Sequence, residues 1–506
     1  MADIDVTPEV ASVEISNPPA LSLRIRAVLE AAPDDAALLV GDRVLPWSWL
    51  GQAVADLDGV CSRAGTHRVG IVLRNRPATF AALVATIATG REVVILSPFH
   101  GDVALEEDLR QLAPGVVVAD PEDLDRPRVP EAAAAVAAVV VRTGTDRALT
   151  VPTDVPRGGG GSAPDGTAVL MVTSGTTGKP KRVRLGYTEL AAALTAAGTP
   201  VEETEIRIRS RPAILWASLV HIGGLYFALA NVASGQPTAL LERFEVEPWA
   251  ELVRRTRPKV IGLPPAALRM VLRSDLPPDA FAGVLTATSG TAALDPDDAD
   301  RFRERFGIPI LATYGATEFA GAVASWDLAL HEEWGDRKRG SVGRPHRGIT
   351  MRVVDPESGE PLPAGATGLL EARGPQLPQR GWVRTTDLAS LDTDGFLYIH
   401  GRIDDVINRG GFKIVPSVIE EALEAHPAVR DASAVGLPDE RLGQVPVAAV
   451  TLLPDAPATT PADLRAFLAE RLARYHLPTE IRIVDALPRT PSLKVSRPDV
   501  VALFHT

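Results

Sequence analysis

The first 400 residues alternate short apolar runs with longer stretches of helical pattern. The clearest apolar runs are residues 69–73, 92–96, 115–119, 168–172 and 260–263. Neighbouring parallel strands need a long crossover connection, which is usually a helix, so this alternation favours an α/β fold with parallel sheets.

The pattern changes near residue 401, where short strand-like runs and two modest helices replace the alternation. The helices are predicted over residues 417–424 and about 460–473, the second with Pro461 in its first turn. We therefore expect a small C-terminal α+β domain after a large N-terminal domain of parallel-sheet α/β subdomains. Within the large domain, Asp295 followed by Pro296 predicts the start of a helix.

Composition excludes several classes of protein. The 506 residues are 45% hydrophobic and 23% charged, as in ordinary globular proteins, and the net charge of −12 disfavours binding to nucleic acid or anionic lipid. The longest apolar run, residues 132–141, is too short to cross a bilayer, and the first ten residues lack the order of a signal peptide. Cys61 is the only cysteine, which excludes an internal disulfide and favours a cytoplasmic location.

Lysine is rare in this chain, and its positions are informative. Only six of the 52 basic residues are lysine, and the rest are arginine. A lysine that persists where arginine dominates suggests a role for a compact point charge. Four of the six lie in the motifs described next: Lys179, Lys181, Lys413 and Lys494.

Residues 173–181 have the composition of a phosphate-binding loop. Hydroxyl side chains can rotate to donate hydrogen bonds, glycines let backbone N–H groups approach phosphate oxygens, and lysines supply positive charge. The candidate residues are Thr173, Ser174, Gly175, Thr176, Thr177, Gly178, Lys179 and Lys181.

This loop is not a Walker A sequence, which has four residues between its glycines and Ser or Thr after its lysine. Here two residues intervene and Pro180 follows the lysine. Residues 167–172 and 182–185 both read as strands, so we predict the tip of a β-hairpin. A polar turn without function is the commoner origin of such a cluster, but two lysines in a lysine-poor chain favour a binding loop.

The loop resembles the signature of the adenylate-forming superfamily, which joins acyl-CoA synthetases, peptide-synthetase adenylation domains and beetle luciferases. Further motifs of the superfamily follow in order, most densely between residues 167 and 497, and the chain looks closest to acyl- or aryl-CoA ligases. The resemblance implies an N-terminal AMP-binding domain over 1–402, a hinge over 403–405 and a C-terminal lid domain over 406–506. It also implies ATP, Mg²⁺ and CoA, or the pantetheine of a carrier protein, as cofactors.

Two motifs resemble the superfamily's elements for adenine and metal. The run Tyr314-Gly315-Ala316-Thr317-Glu318 is similar to its Tyr-Gly-x-Thr-Glu element. The resemblance implies an aromatic face for adenine, a hydroxyl for phosphate and a carboxylate, Glu318, that holds Mg²⁺. Upstream, where the superfamily holds adenine, this chain has Ser289, Gly290 and Thr291.

Residues 382–387 and 401–414 resemble the ribose and hinge motifs. Asp387 would accept hydrogen bonds from the ribose hydroxyls, although Thr386 stands where the superfamily usually has glycine. Arg402 would bind ribose or phosphate, and Asp404 would be the pivot of the small domain. Two glycines, Gly410 and Gly411, would border the channel for a pantetheine arm.

The implied catalytic residues are Lys494, Thr173, Glu318 and His221. Lys494 lies in a decapeptide, residues 488–497, that resembles the C-terminal lysine motif, with Leu493 in place of its usual glycine. The resemblance implies that Lys494 neutralises charge between the substrate carboxylate and the α-phosphate. His221 stands at an acyl-pocket position of the superfamily, and a packed core histidine explains it equally well.

The implied function is ATP- and Mg²⁺-dependent activation of a carboxylic acid, aromatic or medium-sized, to acyl-AMP with release of pyrophosphate, then transfer to the thiol of CoA. The expected partners are therefore a small acid and ATP, without nucleic acid or integral membrane association. Three alternatives remain: transfer to the pantetheine of an acyl carrier protein, transfer to a nitrogen or nitrite-type nucleophile as in diazotase-like relatives, and a nucleotide-binding homologue without activity. The joint presence of Glu318, Asp387, Arg402 and Lys494 argues against the last.

Overall fold

The chain divides into two units. Unit 1 comprises Met1–Pro258 and Ala316–Gly321, and unit 2 comprises Lys259–Gly315 and Ala322–Thr506. In this computed structural model the described residues are 18–156, 166–173, 181–199, 201–203, 205–377, 381–490 and 493–505.

Unit 1 is built from alternating strands and helices. Its strands are β1 (Ala36–Val40), β2 (Arg43–Pro46), β3 (Arg68–Val72), β4 (Glu92–Leu96), β5 (Val116–Ala119), β6 (Val139–Thr143), β7 (Leu149–Thr150), β8 (Thr167–Thr173), β9 (Lys181–Gly186), β10 (Ala213–Leu215) and β11 (Thr238–Leu240). Its helices are α1 (Ala20–Ala31), α2 (Trp47–Ala64), α3 (Pro77–Ala88), α4 (Asp102–Leu112), α5 (Pro121–Leu124), α6 (Arg128–Ala135), α7 (Tyr187–Ala196), α8 (Ile222–Ala233) and α9 (Val246–Thr256).

The main sheet of unit 1 has seven strands in the order β7-β6-β5-β3-β4-β8-β9. Its inner strands are parallel, and both edge strands, β7 and β9, pair antiparallel with their neighbours. A second sheet has the order β10-β11-β1-β2. The predicted parallel α/β architecture is therefore confirmed, as is the hairpin, in which Thr173 pairs with Lys181.

The apolar runs of unit 1 form strands because the sheet is covered on both faces. In β4, Val93 and Ile95 belong to the hydrophobic core on one face of the sheet. Val94 and Leu96 belong to the core on the other face. Each fully buried side chain of this size stabilises the fold by about 1.5–3 kcal/mol relative to leaving it exposed.

The described part of unit 2 forms three sheets. Its strands are β12 (Val260–Gly262), β13 (Thr286–Ser289), β14 (Ile310–Ala316), β15 (Gly321–Ser325), β16 (Arg344–Pro345), β17 (Thr350–Val354), β18 (Gly368–Arg373), β19 (Val383–Leu391), β20 (Leu397–Arg402), β21 (Ile407–Arg409), β22 (Phe412–Ile414), β23 (Val429–Asp439), β24 (Gly443–Leu452) and β25 (Glu480–Ile483). Its helices are α10 (Pro265–Leu272), α11 (Pro296–Phe306), α12 (Leu328–Trp334), α13 (Pro416–Glu424), α14 (Pro461–Ala469) and α15 (Arg497–Ala502).

The first sheet of unit 2 has the order β12-β13-β14-β15-β16, with β12 to β14 parallel. The second, β17-β18-β19-β20, is antiparallel. The C-terminal sheet has the order β22-β21-β24-β23, with β25 parallel to β24. Together with α13 and α14 it forms the predicted α+β part of the chain.

The predicted helix starts are confirmed, and one predicted helix end is wrong. The side chain of Asp295 accepts a hydrogen bond from the backbone N–H of Asp297 at the start of α11. A capping box between Thr460 and Asp463 begins α14. This helix ends at Ala469 rather than near 473, because two successive N–H groups, of residues 471 and 472, both bond to the carbonyl of residue 468 and close the last turn.

The predicted boundary at residue 402 does not separate the two units, since residues on both sides of it belong to unit 2. The proposed hinge residues, Ile403–Asp405, form one turn of 3₁₀ helix between β20 and β21. The division into 1–402, 403–405 and 406–506 therefore stays a prediction. Among the described residues, no helix is both long enough and apolar enough to cross a membrane.

Candidate active site

Two parallel strands of unit 2 end side by side at the predicted adenine site. Ser289, the last residue of β13, pairs with Ala312 in β14. Gly290 follows, and a Cβ atom there would lie 2.7 Å from Cγ2 of Thr313, so only glycine fits so close to β14. The carboxyl ends of parallel strands are the usual ligand-binding edge of an open α/β sheet.

Ser289 and Thr291 both carry features typical of a binding edge. Ser289 is 2% exposed, and its Oγ has no hydrogen-bond partner among the described residues. A buried hydroxyl without a partner is costly, and a polar ligand atom would satisfy it. Thr291 has φ 73°, a left-handed conformation that is rare for a β-branched residue and is often found at functional sites.

Tyr314, near the end of β14, contacts the predicted ribose-binding residue. Its hydroxyl donates a hydrogen bond to the carboxylate of Asp387. Burial, reinforced by the negative charge of Asp387, raises the pKa of the Tyr314 hydroxyl. The phenol therefore stays protonated and holds one oxygen of Asp387 in a fixed direction, while Gly315 beside it is exposed.

Arg402 lies opposite Asp387 in the pairing of β19 with β20. Its nearest guanidinium nitrogen is 3.9 Å from the Asp387 carboxylate. Two other contacts are shorter: Nε and Nη2 donate to the hydroxyl of Thr386 at 3.0 and 2.5 Å. The sequence identified Thr386 only as a departure from glycine, so its role as the acceptor for Arg402 was missed.

Lys494 is electrostatically coupled to this pair. Burial of its ammonium lowers the pKa of Lys494, the positive charge of Arg402 lowers it further, and Asp387 opposes both effects. Lys494 as a whole residue is exposed. The structure thus brings together Tyr314, Asp387, Arg402 and Lys494, which are separated by up to 180 positions in the sequence.

A tight turn presents Lys494. The backbone N–H of Thr490 donates to the carbonyl of Lys494 at 2.8 Å, and the N–H of Leu493 donates to the carbonyl of Thr490 at 2.8 Å. Leu493 has φ 64°, which accounts for the glycine that the superfamily prefers at this position. The guanidinium of Arg489 donates to the Leu493 carbonyl at 2.9 Å, a contact that the sequence did not reveal.

The predicted phosphate and metal residues lie in unit 1. Thr173 and Lys181 are paired at the ends of β8 and β9. Residues 174–180 lie outside the described residues. The predicted contacts of six candidates therefore stay predictions: Ser174, Gly175, Thr176, Thr177, Gly178 and Lys179. The 3₁₀ turn Thr317–Phe319 packs against β9. Glu318 in this turn is half-buried.

The donor set fits a magnesium ion carried by nucleotide phosphates. Mg²⁺ is commonly bound through one or two carboxylates together with substrate phosphates, rather than by a cage of protein ligands. The one acidic group of suitable spacing in the described part of the chain is Asp120, Glu122 and Asp123, elsewhere in unit 1. Arg74 and Arg76 already pair with it, so Glu318 remains the better candidate ligand.

The remaining candidates occupy turns. His221 immediately precedes α8, with its backbone N–H bonded to the carbonyl of Ser218 at 3.1 Å. Asp404 accepts a hydrogen bond from Arg402 at 3.4 Å. Gly410 and Gly411, at φ 56° and 89°, form the two-residue connection between β21 and β22. Positive φ at both positions is required by a type I′ turn, so hairpin geometry alone explains these glycines.

Cys61 is unsuited to covalent catalysis. It lies in α2 and is fully buried. Burial raises the pKa of its thiol to about 12, so the nucleophilic thiolate is scarce at neutral pH. Packing in the core of unit 1 is a sufficient explanation for this residue.

Comparisons with known proteins define the class. The sequence model described as AMP-binding enzyme matches residues 33–380, and that of the AMP-binding enzyme C-terminal domain matches residues 418–494. The first match alone covers more than half of the chain. The chain therefore belongs to the AMP-binding enzyme family.

Particular relatives refine this assignment. Sulfoacetate–CoA ligase of Cupriavidus necator is 36% identical over 350 residues, which cover 66% of this chain and 66% of the relative. For 4-coumarate–CoA ligase of Vanilla planifolia the identity is 31% over 360 residues, covering 67% of this chain and 64% of the relative. The matches thus span slightly less than two thirds of these relatives.

Solved structures match over nearly the full length. The amide bond synthetase McbA of Marinactinospora thermotolerans is 25% identical with a TM-score of 0.80, covering 96% of this chain and 100% of that one. The o-succinylbenzoate CoA synthetase of Bacillus subtilis, in complex with its acyl-adenylate intermediate, is 25% identical with a TM-score of 0.77. The match covers 96% of this chain and 98% of that structure.

Proposed function

We propose that this protein activates a small carboxylic acid with ATP to an acyl-adenylate and then transfers the acyl group to the thiol of CoA. The Cupriavidus and Vanilla relatives are CoA ligases by name, and one structural relative holds an acyl-adenylate. The observation that carries the proposal is the cluster of Tyr314, Asp387, Arg402 and Lys494 in unit 2.

In the first step a carboxylate oxygen attacks the α-phosphorus of ATP, the bond to the β-phosphate oxygen breaks, and pyrophosphate leaves. Asp387, held by the Tyr314 hydroxyl, accepts hydrogen bonds from the ribose, and Arg402 supplies positive charge beside it. Glu318 would hold Mg²⁺, which would supply positive charge for the phosphates. The positive charge needed at the reacting oxygens comes from Lys494.

The lowered pKa of Lys494 suits this role. A desolvated ammonium is destabilised, and an incoming phosphoryl group relieves that destabilisation. A preorganised cation then gains most from the charge that develops in the transition state. Residues 173–181 stay the predicted phosphate loop.

In the second step the thiol, as thiolate, attacks the acyl carbon, AMP leaves and a thioester forms. We infer that the part of the chain after Asp404 rotates between the two steps and brings the turn at Gly410 and Gly411 to the pantetheine arm. The pantetheine of a carrier protein is an alternative acceptor, since it presents the same chemistry to the site.

A nitrogen acceptor is the second candidate function. The amide bond synthetase covers 96% of this chain at a TM-score of 0.80, as similar as the CoA synthetase structure. An amine attacking the same acyl-adenylate would give an amide and AMP without any change in the first step. The diazotase-like and inactive alternatives have no comparable support.

Two assays separate these functions. Acid-dependent exchange of labelled pyrophosphate into ATP, measured over a panel of aromatic, medium-chain and short polar acids, tests adenylation. The release of AMP is then followed after addition of CoA, a phosphopantetheinylated carrier protein or an amine. We expect exchange with at least one acid class and faster AMP release with CoA. Binding of ATP without exchange for any acid would contradict the proposal and favour an inactive homologue.

A further inference from the structure

A buried carboxylate in the C-terminal sheet is surrounded by arginines. Asp431, on β23, is 7% exposed. Nitrogen atoms of four guanidinium groups lie near its oxygens: those of Arg489 at 3.4 Å, Arg269 at 3.5 Å, Arg430 at 3.6 Å and Arg273 at 3.8 Å. A carboxylate buried this deeply depends on such partners, and removing it leaves several guanidinium groups uncompensated.

One of these arginines contacts the turn that presents the catalytic lysine. Arg489 donates through Nη1 to the carbonyl of Leu493, one residue before Lys494, while its Nη2 faces Asp431. Arg489 also pairs with Val495 in an isolated β-bridge. The carboxylate of Asp431 is therefore two contacts away from the backbone of Lys494.

The other arginines of the cluster come from a segment that precedes the second sheet of unit 2 in the sequence. Arg269 is on α10 and also contacts the carboxylates of Glu424 at 3.4 Å and Asp298 at 3.9 Å. Arg273 directly follows α10, and its Nη2 donates to the carbonyl of Arg430 at 2.9 Å. Asp431 thus joins the α10 segment to the C-terminal sheet.

We propose that Asp431 is a positioning residue for adenylation, which couples the contact between α10 and the C-terminal sheet to the placement of Lys494. The proposal rests on the proposed function and deepens it. When the α10 contact is made, Asp431 orients Arg489, and Arg489 fixes the turn that carries Lys494. When the contact is released, the Asp431 carboxylate loses Arg269 and Arg273, the partners that fix its orientation, and it no longer holds Arg489 in one direction.

The first test is the substitution Asp431→Asn, which keeps the shape and removes the charge. Misplacing a catalytic group by about 1 Å costs on the order of 10²-fold in rate, so we expect pyrophosphate exchange to fall about 10- to 100-fold. Conversion of supplied acyl-AMP to product, which does not use Lys494, should stay within about twofold of the wild type. A merely structural role would reduce both half-reactions together or neither, and either result would overturn the proposal.

A second variant and a control guard against simple loss of folding. Arg269→Met removes the partner on α10 and should give the same split between the half-reactions. Glu470→Gln removes one exposed carboxylate, paired with Arg471, from the same part of the chain and should change neither. Asp431→Glu should recover part of the exchange activity.

Hydrogen–deuterium exchange of the wild type, Asp431→Asn and Glu470→Gln tests the coupling without any turnover. Residues 486–497 and α10 should both exchange faster in Asp431→Asn and be unchanged in Glu470→Gln. Unchanged protection of 486–497 in Asp431→Asn would refute the coupling. If the wild type showed no pyrophosphate exchange with any acid, the proposed function would be contradicted instead. Hydrogen–deuterium exchange would then still test whether Asp431 couples α10 to residues 486–497.

Discussion

At the scale of single residues, the hydroxyl of Thr386 distinguishes this site from the superfamily pattern that the sequence resembles. Glycine has no side chain to accept from an arginine, whereas Thr386 accepts two hydrogen bonds from Arg402. The side chain of Arg402 is 43% exposed, so water can replace part of what is lost when the hydroxyl is removed. The free energy that the Thr386 hydroxyl contributes to orienting Arg402 should therefore be smaller than that of a fully buried hydrogen bond to a charged group.

We predict that Thr386→Val raises the KM for ATP about three- to tenfold, because Arg402 loses the acceptor that orients it. The upper bound for this effect is the free energy of a fully buried hydrogen bond to a charged group, about 1.5–3 kcal/mol. The ATP dependence of pyrophosphate exchange measures this effect. Thr386→Ser keeps the hydroxyl and should behave like the wild type. Equal values for all three proteins would show that Arg402 is oriented by other groups.

Sequence motifs predicted which residues form this site, but they did not indicate the contacts between those residues. Tyr314, Asp387 and Arg402 each lie in a short sequence motif, and such a motif can be recognised without knowledge of the three-dimensional structure. The contact of Arg402 with Thr386 depends on the register of β19 with β20, where Asp387 faces Arg402. The turn between the two strands would set this register, but the register shifts between Leu388 and Ala389, an irregularity that no motif in the sequence indicates.

At the scale of secondary-structure elements, the hairpin of β21 and β22 carries two glycines that have two independent explanations: the geometry of the turn and the proposed passage of a pantetheine arm. Both have positive φ, as the turn demands. A Cβ atom added at Gly411 would meet no atom within 4 Å, whereas a Cβ at Gly410 would lie 3.1 Å from Cδ2 of Leu442. Substitutions at Gly411 therefore change backbone strain without a steric clash among the described residues.

We predict that Gly411→Ala lowers the free energy of unfolding by about 1 kcal/mol, the cost of a left-handed conformation for an L-residue. Asparagine tolerates that conformation, so Gly411→Asn should be more stable than Gly411→Ala in urea denaturation. If the pantetheine arm passes this turn, Gly411→Asn should still slow thioester formation while leaving pyrophosphate exchange unchanged. Normal thioester formation in Gly411→Asn would leave hairpin geometry as the whole explanation of the glycine.

The contact of α13 with α10 should depend on pH. Burial raises the pKa of Glu424 to about 7, with smaller contributions from the negative charges of Asp431 and Glu420, against the opposing effects of Arg269 and the backbone N–H of Ala432. A raised carboxyl pKa means that the folded protein favours the neutral form. This contribution to stability is complete below the unfolded pKa of about 4.5 and is lost as the pH rises through about 7.

We therefore predict that the unfolding free energy of the wild type falls between about pH 5 and pH 8 relative to that of Glu424→Gln, whose amide does not ionise. Urea denaturation of the two proteins at several pH values measures the difference. The exposed Glu470→Gln variant should run parallel to the wild type over the same range. A constant difference between wild type and Glu424→Gln would show that Glu424 does not titrate in this window.

At the scale of the whole molecule, the sequence predicted the fold class but not the division into units. The alternation of apolar and helical runs continues across residue 258, so nothing local marks the end of unit 1. Residues Ala316–Gly321 belong to unit 1 although the residues on either side of them belong to unit 2. This assignment is a consequence of long-range packing, and Phe319 is the buried aromatic residue of the segment. The change near residue 401 was visible because the strand spacing itself changes there.

The two half-reactions of the complete protein should respond differently to the loss of Lys494. Lys494 belongs to the same unit as Asp387 and Arg402, and its pKa responds to both. Lys494→Ala removes the cation that we propose offsets charge between the carboxylate and the α-phosphate. Loss of one such electrostatic contact costs about 10²–10³-fold in rate. We expect pyrophosphate exchange to fall by at least that factor.

Conversion of supplied acyl-AMP to the thioester should proceed in Lys494→Ala at close to the wild-type rate, because the acyl group is already activated and no negative charge has to be brought to the α-phosphate. Lys259→Ala is the matched control, since it removes an exposed lysine of the same unit that donates to the carbonyl of Gly283. Both half-reactions should be normal in that variant. Exchange at the wild-type rate in Lys494→Ala would mean that another cation stabilises the adenylation transition state, and the roles proposed for the turn at Leu493 and for Asp431 would fail with it.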